Sequence, residues 1–235
     1  MRRVWVVIAS AALVAGFGCG KKSYEERLGK TIEKLDYDRR LKKNVMEAAN
    51  EKKFTDLAIY VRAPKDEALT KTGQLPVGEG QFDLDASFVD KTEAALHVLA
   101  RVKQPKKPQA KGAPPAPVLP PRGEFVGEVL GILSSVFGAP EALQTPKFSE
   151  ESRKGGNRFK RLIFKAGDKE VKLYTLKDGN YEVALVFAYD EKIKNPISAK
   201  IEYTLDSFAI GEQAKRLFAG GSADEETDSG PPVPL

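Results

Sequence analysis

The strongest period in the chain is helical. Phe125, Val129, Ile132, Leu133, Val136 and Phe137 recur at spacings of three and four, and Gly138 and Pro140 follow as stop signals, so a helix with one buried face is predicted over 125–137. After it the period changes to two. Residues 158–165 and 169–176 flank the turn Ala166-Gly167-Asp168, and Asp178-Gly179, read as a type I′ hairpin signal, leads into 181–189. In that third strand Tyr181, Val183, Leu185, Phe187 and Tyr189 alternate with a second set that is apolar except for Glu182, which predicts a central strand covered on both faces. Alternation at Ala199, Ile201, Tyr203 and Leu205 predicts a fourth strand, and Ile210, Ala214, Leu217 and Phe218 suit a closing helix before Gly220-Gly221. The stripe of Val129, Leu133 and Val136 is expected to cover the sheet face that carries Leu185, Phe187 and Tyr189.

Upstream, Leu57, Ile59 and Val61 share one face of a strand stopped by Pro64, and Phe82, Leu84, Ala86 and Phe88 alternate in another. Leu96, Val98, Ala100 and Val102 alternate in a third. Residues 63–81, with Pro64, Gly73, Pro76, Gly78 and Gly80, read as a loop. The stretch 54–102 is too short in apolar residues to bury a core alone and is expected to join the later sheet. Seven of the fifteen prolines fall in 103–122, which predicts an extended insertion, and 222–235 reads as a disordered acidic tail. The fold class is therefore α+β, an antiparallel sheet with helices packed on it, spanning 54–221. This order of elements is similar to the PsbP-like fold of photosystem II extrinsic proteins, and the resemblance implies an α/β/α sandwich.

The N-terminus has a different pattern. Arg2 and Arg3 precede an unbroken apolar and small-residue stretch from Val4 to Gly18, and the single cysteine, Cys19, follows Ala15-Gly16-Phe17-Gly18. Basic start, short apolar core and small residues before a cut site are the parts of an export signal. Residues 1–19 resemble the lipobox-type signal of bacterial lipoproteins, with Gly16 standing where leucine is usual. The resemblance implies cleavage after residue 18, acyl chains such as palmitate on Cys19, and a membrane partner held through them. With Gly20 rather than Asp after the cysteine, it implies a cell-envelope location on the periplasmic face of the outer membrane. Residues 19–53 then form a charged tether or helix, with Tyr24, Leu28, Ile32 and Leu35 at helical spacing.

Composition removes several kinds of chemistry. One Cys allows no intrachain disulfide and no Cys-based zinc site, and one His removes most imidazole-dependent catalysis. Loss of Arg2 and Arg3 takes the 38 basic residues to 36 against 33 acidic ones, a net +3, so no nucleic-acid partner is expected. No motif for a cofactor or a metal is present. His97 lies opposite Leu96 and Val98 and reads as structural. Asp83-Leu84-Asp85 reads as a strand's solvent face, and Asp178-Gly179-Asn180 as a hairpin, rather than as calcium ligands.

The one cluster with binding chemistry is Arg153, Lys154, Arg158, Lys160 and Arg161 around Gly155-Gly156. It can grip an anionic envelope polymer or protein, or guard a hairpin edge against strand pairing. The leading expectation is a non-enzymatic accessory or binding module on a lipid anchor. Behind it stand a binder of a small ligand or polymer in a groove between the sheet and helix 125–137, and then a carboxylate-based hydrolase.

Overall fold

The computed structural model describes residues 18–65, 75–89, 95–103, 122–138 and 140–220. Residues 1–17 of the expected signal peptide 1–18, nearly all of the proline-rich stretch and the tail 222–235 lie outside the described residues. The chain divides into two units, Met1–Lys43 and Asn44–Leu235. The described part of the first lies in helix α1, Gly18–Asn44, so the charged stretch 19–53 is helical only as far as Asn44. Val45 then forms a bridge with Pro64 in the second unit.

The second unit is α+β. A six-stranded antiparallel sheet is built from β2 (Leu84–Val89), β3 (Ala95–Val102), β4 (Ser149–Ser152), β5 (Arg158–Ala166), β6 (Lys169–Asp178) and β7 (Tyr181–Asp190). Their spatial order is β2-β3-β7-β6-β5-β4. β7 is central, as its two apolar faces require, and residues 183–189 are all buried. A second ladder pairs β1 (Ile59–Tyr60) with β8 (Ala209–Ile210). The strand expected around Leu57, Ile59 and Val61 is thus two residues long. The helix α2, Lys52–Asp56, precedes it, and Ala58, at φ 51, turns the chain between them.

Both faces of the six-stranded sheet are covered. Helix α3, Phe125–Phe137, followed by α4, Glu141–Gln144, packs Val129, Ile132 and Leu133 with Leu99, Leu173, Ala184, Val186 and Ala188. Glu124 caps α3 by accepting from Val126 N and Gly127 N. The opposite face carries Val98, Leu185, Phe187 and Tyr189 under Ile197, Ile201, Leu205 and Phe208. Helix α3 therefore does not cover Phe187, as the pattern of its stripe suggested. Phe187 points to the other layer, and Val136 remains exposed.

The expected fourth strand is also corrected. Residues 199–205 lie in helix α5, Lys194–Ser207, which follows a 3₁₀ turn at Glu191–Ile193. Ile197, Ile201 and Leu205 are spaced by four, and this second period decides the structure. β7 already has β3 on one side and β6 on the other, so no edge was free beside it. Pro196 sits in the first turn of α5, where its missing N–H costs no helical hydrogen bond. Helix α6, Gly211–Phe218, closes the chain and buries Ala214.

The hairpin at Asp178 differs in type from the expectation. Positive φ is confined to Gly179, the first of two central residues, with φ 51. That is the pattern of a type II′ turn, not type I′, and Gly167 repeats it at φ 64.

Candidate anion-binding site

The basic residues singled out by sequence flank one hairpin at the sheet's edge. β4 pairs with β5 through Glu151 opposite Phe159 and Ser152 opposite Arg158. The turn closes with Arg153 N donating to Asn157 O at 3.0 Å and Gly156 N to Arg153 O at 3.0 Å. Asn157 Nδ2 donates to Phe208 O at 2.7 Å, which fixes the hairpin tip to the end of α5. A Cβ on Gly155 would stand 3.2 Å from Asp206 O, so this approach favours glycine.

Strand alternation splits the five residues between two faces. Arg161 follows Phe159 onto the α5 side, and Arg153 joins it there on a shared partner, Glu151. Arg153 Nη2 donates to Glu151 Oε1, and Arg161 Nη1 lies 2.8 Å from Glu151 Oε2. The Nε of each arginine is buried without a hydrogen-bond partner, so one carboxylate leaves this pair under-satisfied. Tyr174 stands directly across from Arg161 in β6. Burial pushes its hydroxyl pKa up, and the two arginines pull against that rise. Arg158 and Lys160 project to the opposite face and are exposed, while Lys154 stands exposed in the turn. The five thus form two adjoining groups, a half-buried pair and an exposed lip, rather than one cluster.

A second charged group on the α5 side was not legible as a site. Glu170, almost fully buried, accepts from Tyr189 Oη at 2.7 Å and from Lys194 Nζ at 2.6 Å, with Lys172 Nζ 3.7 Å away. Burial alone would raise the Glu170 carboxyl pKa, but Lys194, Tyr189 and Lys172 bring it below the ordinary value. Lys172, which also lies 5.6 Å from the centre of the Tyr189 ring, is lowered chiefly by burial, against Glu170. Together Arg153, Arg161, Lys172 and Lys194 set four cations against the carboxylates of Glu151 and Glu170 on this side. The available signal was the pair Glu170 and Lys172 at a spacing of two within a strand, which puts both on one face.

The α3 side holds the other polar features. Ser87 Oγ lies 2.7 Å from His97 Nδ1, in cross-strand register, and the ring is only 8% exposed. Ten residues separate the two in sequence, which hid the pairing. Burial lowers the His97 pKa from 6.5 to about 4, so the imidazole is neutral at pH 7. Asp85, on the same face, has a pKa raised by burial. Asp83 accepts from Arg122 Nη2 at 2.8 Å and from Val102 N at 2.8 Å. Burial would raise its carboxyl, but these donors bring it below the usual range. Asp83 is thus tied to Arg122 rather than facing solvent alone. Arg101 donates to Gln81 O, Gly123 O and Glu128, and its guanidinium lies 5.1 Å from the Phe82 ring centre and 5.6 Å from that of Phe125. This arginine ties the start of α3 to the sheet. Among the described residues, no group of three His, Cys, Asp or Glu side chains could hold a metal ion.

The neutral His97 sets a pH dependence. Its folded pKa lies below its unfolded value, so acid favours the unfolded chain. Stability from this residue is complete above about pH 6.5 and falls as pH drops toward 4, by roughly 3 kcal/mol in all. Urea midpoints measured between pH 7 and pH 4 are expected to fall steeply for the native protein and much less for His97→Gln. Parallel pH profiles would remove His97 from this role.

Cys19 lies in the first turn of α1, and its side chain is outside the described residues. Among the described residues, no helix is long and apolar enough to cross a membrane. No protein-family profile and no curated protein matches the chain. Among solved structures, the chain is similar to the solution structure of cyanobacterial PsbP (CyanoP) from Synechocystis sp. PCC 6803, at 12% identity and a TM-score of 0.41, over 72% of this chain and 93% of that one. A likeness of that depth says nothing about activity or partners.

Proposed function

We propose that this chain is a lipid-anchored cell-envelope protein that acts as a binding or accessory module rather than as an enzyme, and that its folded unit takes hold of an anionic envelope polymer at the β4–β5 corner. One observation carries the binding reading. Arg158 and Lys160 stand exposed on the hairpin, with Glu150 across from Lys160, while Arg153 and Arg161 beside them share the single carboxylate of Glu151. With Lys154, five basic side chains face these two acidic ones, which leaves the corner with excess positive charge. A polymer of repeated carboxylates or phosphates suits an exposed cationic lip better than a closed pocket would. The groove reading has less support, because the α3 face is taken up by buried Val129 and Leu133 against Leu173 and Val186. The neutral His97, hydrogen-bonded to Ser87, has the character of a core residue rather than of a general base.

The anchor rests on Arg2, Arg3, the apolar stretch and Cys19. Two or more acyl chains give lasting attachment, where one gives marginal binding.

The test has two arms. Cys19→Ser is expected to leave the membrane fraction and lose the lipid mass increment. Arg158→Glu with Lys160→Glu is expected to weaken binding to polygalacturonate, a carboxylate polymer, by about tenfold or more at low salt, without changing the melting temperature. Equal binding by the native and doubly reversed proteins would exclude the corner. A native protein without lipid, unchanged in the membrane fraction by Cys19→Ser, would exclude the anchor.

A further inference from the structure

Large apolar side chains left in water need an explanation when they are contiguous. Among the described residues, six such side chains are exposed, and four belong to one helix: Tyr24 at 66%, Leu28 at 45%, Ile32 at 52% and Leu35 at 59%. At 3.6 residues per turn, these four fall within about 80° of one another around α1. They form a continuous stripe along the middle of a helix of 27 residues, about 40 Å long. Arg39 and Lys42, both exposed, continue the same line toward the C-terminal end; Glu25 and Asp36 border the stripe at about 60° and about 80° from its centre, and Glu33 lies about 140° away from it. The helix carries nine Lys and Arg against five Asp and Glu, a net +4.

We propose that α1 lies flat on an anionic phospholipid surface, with Tyr24, Leu28, Ile32 and Leu35 inserted among the headgroups and the basic residues paired with lipid phosphates. This rests on the anchor reading above, which would fix Cys19 in the bilayer five residues before the stripe begins. Charge selects the occupant. A second copy of the helix would bring one +4 surface against another, whereas an anionic bilayer attracts it. The stripe is also short of the three or four heptads that a stable coiled coil needs. Interfacial helices bury an apolar face by about 5–10 Å, and long basic side chains on the same line can reach back to the phosphates.

The experiment uses the acylated full-length product in vesicles of phosphatidylcholine and phosphatidylglycerol with brominated acyl chains, which quench tryptophan on contact. The chain's single tryptophan, Trp5, leaves with the signal segment, so an introduced residue reports alone. Leu28→Trp and Ile32→Trp are expected to shift to the blue and lose most of their emission to bromolipid, while Glu33→Trp keeps both its wavelength and its intensity. Flotation of the vesicles is measured in the same samples. Protein that floats without quenching at 28 and 32 overturns the flat helix and leaves the anchor standing. Protein that does not float overturns both. A blue shift without bromolipid-dependent loss would mean that the stripe packs on protein instead, and it too overturns the proposal.

Discussion

Phe187→Ala is expected to destabilise the folded unit by about 3–5 kcal/mol, the cost of removing a buried ring and leaving a cavity. The side chain is 2% exposed and lies mid-strand in the central β7. Its ring stands 5.9 Å from that of Tyr174, nearly perpendicular, and its cluster includes Leu96, Leu185 and Ile201 from three elements. Because β7 has a strand on each side and a covered layer on each face, little can relax into the space. An ordinary domain has only about 5–15 kcal/mol of stability, so the variant would lose a large share of it. Lys160→Ala, exposed near the sheet's edge, is expected to stay within roughly 0.5 kcal/mol of the native protein. Urea denaturation of the pair checks this, and two small, equal effects would mean that the β7 face toward α5 is not the centre of the core.

The second large effect is expected at Glu170. Its carboxylate is the common partner of Tyr189 Oη, Lys194 Nζ and Lys172 Nζ. Glu170→Ala removes all three partnerships and leaves Lys172, 12% exposed, as a buried cation without its anion. Breaking a buried pair from one side costs about 3–5 kcal/mol. Lys172→Met is expected to cost much less, because Glu170 keeps Tyr189 and Lys194 and the methionine fills the space over the Tyr189 ring. Adding Lys172→Met to Glu170→Ala should therefore recover part of the loss, since the stranded charge is gone. No recovery in the double variant would show that the cost arises from packing rather than from charge. The acid dependence adds a second readout. The folded pKa of Glu170 lies below its usual 4.5, so its contribution is present above that pH and is lost below it. That range lies mostly below the one in which His97 acts.

Legibility from sequence followed the length and purity of each pattern. Helix α3 could be read because it keeps one period over 13 residues, and strands β5, β6 and β7 because the turns at Gly167 and Gly179 bound them. The segment 197–205 failed because Ile201 and Leu205 belong to a period of two and a period of four at once. Only the pairing of β3 with β7, made across the proline-rich stretch, decides between them by filling the edge. The face assignment of Phe187 failed for a related reason. Alternation shows which residues share a face, but not which helix will cover it. At the candidate site, Arg153 and Arg161 could be named from a run of positive charge. Glu151, Tyr174 and Glu170 could not, because their roles depend on which strands lie side by side. Ser87 and His97 show the same limit, since their contact exists only through the β2–β3 register.

The ladder between β1 and β8 bears on how the chain is made. Ile59 meets Ile210 and Tyr60 meets Ala209, so a pairing of two residues closes a loop of about 150. Gly211 N, donating to Ala58 O at 2.9 Å, extends the closure by one more bond. A chain that emerges from its N-terminus must hold residues 54–61 without their partners until almost all of the remainder has appeared. β2 and β3 wait likewise for β7. Folding is therefore late and non-local, and the apolar strands 84–89 and 95–102 spend that interval with open edges. An exported form of this protein would need a holding factor over that interval, and truncation before residue 209 would leave Ile59 without its partner Ile210 and Ala58 without Ala209 and Ala214.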